Sequence, residues 1–285
     1  MRSGDAGDPI GSTTPNVARM YDFYLGGKDH FAADREAARR VLELAPFTPL
    51  LAAQNRGFLR RSVRLLSSRG VRQFLDLGAG LPTRGNVHEV ARDADPGARV
   101  VYLDCDPVVV AHGRALLTSG DGLVEMTDVD MRDPERILGD AVVRRVIDFE
   151  RPVGLLMNSV LHCLTDDEDP YGIVATLLEA LVPGSYLAIS HTTGNDGLTS
   201  AVGAIYDNAT TGMTYRSPEK IEKFFTGTEL LDPGVVPLAA WRPDLVPVPR
   251  GGAERRAREK AAAGKWDLDR YYLCGVGRKP SAVPE

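Results

Sequence analysis

From Asn16 onward apolar residues recur at helical spacing: Val17, Met20, Tyr21, Tyr24 and Leu25 fall on one face. Gly26-Gly27 ends that helix, because glycine reaches positive φ at little cost. A second helical stretch, HFAADREAARRVLEL, follows, with Asp29 placed to cap it and Pro46 beyond its end. A third runs from about Leu50 to Ser68 and turns Leu51, Phe58, Leu59, Leu65 and Leu66 inward, with Gly70 closing it. From Val71 the texture changes. Short apolar runs (RQFLDL, ARVVYLD, GLVEMTDVD, PVGLLMNS and GSYLAIS) alternate with helical stretches near 86–93, 107–117, 134–146 and 168–181. Two more strands, GVVPLAA and RYYLCGVG, are expected near the end. Before the first lies a helix, SPEKIEKFF, which Ser217 caps and Pro218 opens.

Strands separated by helices predict an α/β fold: a Rossmann-like, mostly parallel seven-stranded sheet flanked by helices, behind an N-terminal helical extension. The chain divides into a flexible polar start over 1–15, a helical extension or lid over 16–69, the sheet domain over 70–279 and a short flexible tail over 280–285. The charged stretch RGGAERRAREKAAAGK reads as an exposed loop or short helix. Composition adds little beyond a class. At 285 residues, 43% hydrophobic and 26% charged, a soluble globular chain with a core of ordinary size is expected. A net charge of −5 offers no reason to expect nucleic acid or an anionic membrane as partner. Cys105, Cys163 and Cys274 lie far apart with no Cys-x-x-Cys pair, so neither a disulfide framework nor a zinc site is signalled. The start has no apolar core for a signal peptide, and no run approaches a membrane span, which predicts a cytoplasmic protein.

The chemistry concentrates in the first strand and its turn, QFLDLGAGLPT. In an open parallel sheet, ligands bind beyond the carboxyl ends of the strands where strand order reverses. Gly78 and Gly80 match the start of a dinucleotide fingerprint, but Thr83 stands at its third glycine. Asp76 points toward the same crevice. A pyrophosphate there would face a like charge, costing roughly 3 kcal/mol per pair at 5 Å and an effective dielectric of 20. A ligand carrying positive charge and no phosphate, such as S-adenosylmethionine with its ammonium and sulfonium, suits the position better. Asp104 ends the second strand, 26 residues after Gly78, where an acid accepts from two ribose hydroxyls. Asp106-Pro107 reads as a helix start. After the third strand, Asp130 could accept from an adenine amino group while the Met131 amide donates to a ring nitrogen, with Asp128 competing for the role of Asp130. Arg56, Arg60, Arg61 and Arg64, followed by Arg69 and Arg72, form either a solvated face or a local site for an anion such as a carboxylate.

Asp76-Leu77-Gly78-Ala79-Gly80, Asp104 and Asp130 come in the order of class I S-adenosylmethionine-dependent methyltransferases. Longer stretches, among them MYDFYLGGKDHFAADREAA, QNRGFLRRSVR, VVYLDCDPVVVAHGRALL and FFTGTELLDPGVVPLAAWRPD, resemble an actinobacterial family of S-adenosyl methyltransferases once classed as a domain of unknown function. The resemblance runs from about Asn16 to Lys279. It implies the class I methyltransferase fold and S-adenosylmethionine as cofactor. Asp76, Gly78, Ala79 and Gly80 would sit at the methionine end, Asp104 and Cys105 at the ribose and adenine, and Asp130 and Met131 at the adenine edge. Asn158 and Ser159 would lie beside the transferable methyl. His30 stands where the family has asparagine after Lys-Asp.

Methyl transfer is an in-line displacement, for which a protein mainly supplies alignment and a dry pocket. A base helps when the acceptor is a hydroxyl or ammonium. His162 in NSVLHCL is the first candidate, or else a structural histidine, with His191 second. Tyr21, Tyr24 and His30 could close over the site as a lid, or simply pack. The fourth strand is not followed by Asn/Asp-Pro-Pro-Tyr, and no Pro-Cys pair supplies a nucleophile, which disfavours planar amines and cytosine carbon as acceptors. A small organic acceptor remains. Two other readings stay open: a protein that binds S-adenosylmethionine or S-adenosylhomocysteine without catalysis, and an NAD(P) oxidoreductase.

Overall fold

The computed structural model describes residues 10–83, 85–245 and 266–281. Three helices open it: α1 (Val17–Tyr24), α2 (Ala32–Leu44) and α3 (Thr48–Ser68). The Asn16 side chain caps α1 by accepting from the amides of Ala18 and Arg19. The expected cap of α2 is wrong. Phe31 holds the N-cap position, and Asp34 in the first turn reaches back to its amide at 2.7 Å. Asp29 stands two residues too early, and its own amide donates to Asp22 instead. The third helix starts at Thr48, earlier than Leu50, because Thr48 and Pro49 suit a first turn whose amides need no partner within the helix.

Strands and helices then alternate: β1 (Gln73–Leu77), α4 (Val87–Arg92), β2 (Arg99–Leu103), α5 (Pro107–Leu116) and β3 (Val124–Thr127). Next come α6 (Pro134–Gly139), α7 (Ala141–Val146), β4 (Gly154–Asn158), α8 (Pro170–Glu179), β5 (Tyr186–Thr192), α9 (Gly197–Tyr206) and α10 (Pro218–Glu222). Two-residue strands β6 (Glu229–Leu230) and β7 (Val236–Pro237) precede β8 (Tyr272–Arg278). The sheet runs β3-β2-β1-β4-β5-β8-β6, with β7 also on β8. The first five strands are mutually parallel, and β8 is antiparallel to β5. The sheet thus has eight strands where seven were expected. The run GVVPLAA contributes only Val236 and Pro237, because proline has no amide for a ladder. The helix expected over 134–146 breaks in two at Asp140, whose carboxylate caps the second piece through the amides of Val142 and Val143. Helix α9 was not expected. Its sequence GLTSAVGAIY is rich in glycine and β-branched residues, and a cap by Asp196 starts it. The charged stretch 250–265 lies outside the described residues.

Alternation along the strands sorts the core onto two faces. Phe74, Val100, Tyr102, Leu156 and Ala188 pack with α1 to α5. Leu75, Leu77, Val101, Leu103, Leu155, Met157, Leu187 and Ile189 pack on the other face with α6 to α8. Asp76 is in phase with Phe74, so its side chain belongs to the face that the N-terminal helices cover.

A buried ionic knot ties those helices to the sheet. Arg19, 0% exposed, pairs with Asp34 at 2.9 Å and with Asp106 at 3.3 Å. The Asn16 side chain donates to Asp106 at 2.8 Å and to Thr210 at 3.1 Å. Arg19 also donates to the carbonyls of Gly11 and Thr14, at 2.9 and 2.8 Å. Asp106 therefore does more than cap α5. It joins the end of β2 to α1 and to the segment before it. Replacing Arg19 by Met leaves Asp34 buried without its counter-charge. A loss of about 3–5 kcal/mol in urea-unfolding stability is expected, and a loss below about 1 kcal/mol would show that the knot contributes little.

Candidate active site

Strand order reverses between β2 and β4, on either side of β1, and the carboxyl ends of these strands open on a cavity of about 1440 Å³. Pockets for one small ligand span roughly 300–1,000 Å³, so this one has room for two. After β1 the chain must turn sharply, and Gly78 and Gly80 adopt φ of +67° and +65°. The Ala79 amide donates to the Leu103 carbonyl and the Gly80 amide to Asp104, at 3.0 and 2.9 Å, which pins the turn against the end of β2. A Cβ on Gly78 would overlap Val160, whereas one on Gly80 would meet nothing.

Asp76 lines the cavity and is 5% exposed. Burial pushes its pKa up to about 7, with Asp104 adding to the rise and Arg56 opposing it. Asp104 also lines the cavity, and burial raises its pKa to about 6. Its two carboxylate oxygens accept from the amides of Gly80 and Asp106, so it has a structural role that its sequence position did not reveal. Each oxygen keeps a second lone pair for a ligand hydroxyl.

The other expected cofactor residues fall on the same cavity. Ala79, Cys105, Asp130 and Met131 line it on the side of β2 and β3, and Asn158 and Ser159 line it at the end of β4. Asp130 and Asp128 separate clearly: Asp130 is on the cavity wall and pairs with Arg132 at 3.2 Å, while Asp128 is exposed and pairs with Arg114. Ser159 has φ of +63°, a strained value for serine, and its hydroxyl is bonded to that of Tyr272.

The catalytic and lid candidates scatter. His162 lines the cavity and is 2% exposed. Burial, with Arg216 nearby, lowers its pKa to about 3, so it is neutral and is not a base poised near pH 7. His191 is spent on structure: it donates to the Thr192 carbonyl at 2.6 Å and accepts from Arg216 at 2.9 Å. Tyr24 lines the cavity with its hydroxyl 3.0 Å from that of Tyr206. His30 is not on the cavity wall. It bonds Asp22 at 2.8 Å and sits edge-on to Phe23.

Buried polar atoms without a partner gather at this cavity. They include both amide atoms of Asn158, Nδ1 of His162, Oγ1 of Thr192, Oγ1 of Thr83 and Nε of Arg56. Unpaired buried groups are uncommon, and these belong to residues of the cavity wall. Arg56 is the residue that sequence reading left inside a group. Among those arginines, Arg61 donates to the Trp241 and Leu238 carbonyls, Arg64 pairs with Asp93 and Arg72 with Asp95, whereas Arg56 faces the cavity. Tyr206, Tyr215 and Tyr272 also line it and carried no signal in the sequence. A dinucleotide arrangement is absent from the turn. Helix α4 begins only at Val87, and the carboxylate of Glu89 occupies the amides of Gly85 and Asn86, where a pyrophosphate would have to compete. Among the described residues no cluster of His, Cys, Asp and Glu could hold a metal ion, and no helix is long and apolar enough to cross a membrane.

The model of the S-adenosyl methyltransferase family matches residues 3–280. Two solved structures are similar over almost all of the chain. A DUF574 family protein from Streptomyces avermitilis MA-4680 is 36% identical, with 95% of this chain and 100% of that one covered at a TM-score of 0.84. A candidate methyltransferase from Thermobifida fusca YX is 40% identical, with 97% and 100% covered at the same TM-score of 0.84. The plantazolicin methyltransferase BamL, at 11% identity and a TM-score of 0.50, shares the fold alone. Among curated proteins none matches. The chain belongs to the S-adenosyl methyltransferase family and is a methyltransferase that uses S-adenosylmethionine.

The glycine turn allows a direct check. Gly80→Ala is expected to cost about 1–2 kcal/mol for a left-handed alanine. Gly78→Ala adds about 1–3 kcal/mol for the overlap with Val160. Equal urea midpoints for the two variants would contradict the contact geometry.

Proposed function

We propose that the chain transfers the methyl group of S-adenosylmethionine to a small organic acceptor held beside it in the same cavity. The observation that carries this reading is a cavity large enough for two ligands, with buried carboxylates at one end and an unpartnered Asn158 between the ends. When bound, S-adenosylmethionine supplies an electrophilic methyl group and leaves as S-adenosylhomocysteine.

The chain's own residues bind, orient and exclude water. Asp76 faces the ammonium of the methionine part and Arg56 its carboxylate, a pairing that satisfies the unpartnered Nε of Arg56. Gly78, Ala79 and Gly80 let the ligand approach the backbone closely. Asp104 accepts from the ribose hydroxyls, with Cys105 alongside. Asp130 and the Met131 amide take the adenine edge. Asn158 and Ser159 border the methyl group. Helices α1 to α3, in the division 16–69, serve as the lid, with Tyr24 on its inner side, and this supports a cavity from which water is excluded during transfer. A second reading, a protein that holds the nucleoside without transferring a group, draws on the low pKa of His162. The two part on whether labelled methyl groups from S-adenosylmethionine appear in any product of a cell extract.

Two measurements test the assignment. S-adenosylhomocysteine at 100 times its dissociation constant should add about 2.7 kcal/mol of stability, NAD should add none, and Asp104→Ala should abolish the gain. Stabilisation by NAD alone would overturn the reading. The second test concerns pH. In the ligand-free fold Asp76 keeps its proton up to about pH 7. A bound ammonium favours the ionised form, so binding releases a proton below that pH. Affinity should therefore rise with pH by up to about tenfold per unit below 7 and then level off. In Asp76→Asn this rise should vanish. An unchanged pH profile in that variant would remove Asp76 from the ammonium site.

A further inference from the structure

We propose, resting on the transferase reading above, that the methyl acceptor is an uncharged aromatic hydroxyl compound that enters the end of the cavity beyond Asn158 and is methylated on its oxygen. The polar side chains of this end come from the tips of two neighbouring strands. Asn158 ends β4 and Thr192 ends β5, each 8% exposed, and His162 follows β4 in a short helical turn. Both amide atoms of Asn158, Nδ1 of His162 and Oγ1 of Thr192 are buried without partners. Four phenols share the wall with apolar residues such as Leu198, Val202 and Met213. The Tyr24 and Tyr206 hydroxyls meet at 3.0 Å, and the Tyr272 ring stands perpendicular to His162 with centroids 6.1 Å apart. Tyr215 lies close enough to raise the pKa of both Tyr24 and Tyr272.

None of these groups carries a charge at neutral pH. His162 is held neutral, and burial raises the tyrosines above their ordinary range. The nearest buried cation, Arg216, is turned away from the cavity and spends its donors on Asp166, His191 and the carbonyls of Leu161 and Leu164. Asp22, on the lid side, is occupied by the Asp29 amide and the His30 ring. A carboxylate, phosphate or ammonium acceptor would therefore find no counter-charge among these groups, the charged wall residues Arg56, Arg132, Glu168 and Asp207 not being among them. Tyrosine walls suit a planar ring. The unpartnered imidazole nitrogen, hydroxyl and amide call for a group that both donates and accepts, as a hydroxyl does.

The transfer balances with groups on the page. The acceptor oxygen forms a bond to the methyl carbon while the carbon–sulfur bond breaks and leaves its electron pair on sulfur. The hydroxyl proton passes to the imidazole of His162, which lines the cavity, and then to water. A protonated aryl ether is a far stronger acid than an imidazolium, so even a weakly basic histidine takes this proton and then releases it readily.

Calorimetry on the full chain tests the assignment, first with S-adenosylhomocysteine and then, once saturated, with 2-naphthol, 2-naphthoate, 2-naphthylmethylammonium and 2-naphthylamine. 2-Naphthol should bind at least tenfold tighter than either ion and tighter than the neutral amine. Labelled methyl from S-adenosylmethionine should appear on its oxygen. His162→Phe, and His162→Gln should the first fail to fold, should cut transfer at least 100-fold with S-adenosylhomocysteine affinity unchanged. Tighter binding of an ion or of the amine, absence of label on 2-naphthol, or full transfer in both variants would overturn the acceptor assignment alone. Failure of S-adenosylhomocysteine to bind would overturn the transferase reading and this inference with it.

Discussion

A carboxyl group held out of water at the end of β1 sets the terms for the rest of the molecule. Asp76 is ionised in the unfolded chain above pH 3.8, yet in the fold it keeps its proton to about pH 7 because burial disfavours the charge. Between those values the folded chain binds a proton that the unfolded chain has lost, so this one group lowers stability as pH rises through that window. The position is worth that cost only if something cationic relieves it. Arg56 relieves it in part. Arg56 acts on Asp76 through space because α3 lies across the face of the sheet on which Asp76 and Phe74 both point. The position of α3 is fixed in turn by Phe58 and Leu66 in the core and by Arg61 bonded to the Trp241 and Leu238 carbonyls. The long third helix thus lines the cavity as well as packing on the sheet.

Much of this was legible in the sequence, for reasons that are local. Short apolar runs located β1 to β5 and β8, since each strand is buried on both faces and reads as a dense hydrophobic block. Asp76, the two glycines and Asp104 could be read because strand-end position and spacing fix where their side chains must point. Asp106-Pro107 and Ser217-Pro218 announced helix starts that the structure contains. What failed depended on distant parts of the chain. The role of Arg56 needs the packing of α3 on the sheet, and no spacing distinguishes it from Arg60 or Arg64. The tyrosine wall draws on α1, α9, the segment before α10 and β8, elements far apart in sequence. His30 and His191 looked available because sequence does not show which polar neighbours occupy them. Helix α9 escaped notice because glycine, threonine and alanine give weak periodicity, and its buried face is defined only once α2 packs against it.

The same logic explains why a Gly-x-Gly turn here does not signal a dinucleotide. The glycines answer a geometric need: the chain must reverse direction beside Val160 while leaving its backbone open to the cavity. That need is common to any nucleoside site at a switch in strand order. The discriminating features are electrostatic. A carboxyl precedes the turn, a second carboxyl anchors its amide, and a third, from Glu89, fills the first amides of α4. Three acids around one turn, against the single cation Arg56 on the cavity wall, disfavour a diphosphate, and the proposed ligand with an ammonium and two hydroxyls suits them better.

On the proposed reading the cavity has two ends of different electrostatic character, with Asn158 between them. Toward β1 and β2 the wall holds Asp76, Arg56 and Asp104, and it favours a ligand that brings its own charges in opposite order. Toward β4 and β5 the wall includes the phenols, the His162 imidazole and the Asn158 amide beside apolar residues such as Leu198 and Val202. A cationic group at the first end strengthens the case for a neutral guest at the second. With little water between them, a positively charged acceptor would be repelled by the sulfonium, and a negatively charged one would be drawn back to Arg56 and away from the reacting carbon. On the proposed reading, separating charge from aromatic surface along one cavity would keep the two substrates in register without a dedicated clamp for the acceptor. It also explains why a histidine can sit beside the reacting centre with its pKa far below neutrality. A protonated imidazole there would oppose the positive charge that the reaction has to bring in.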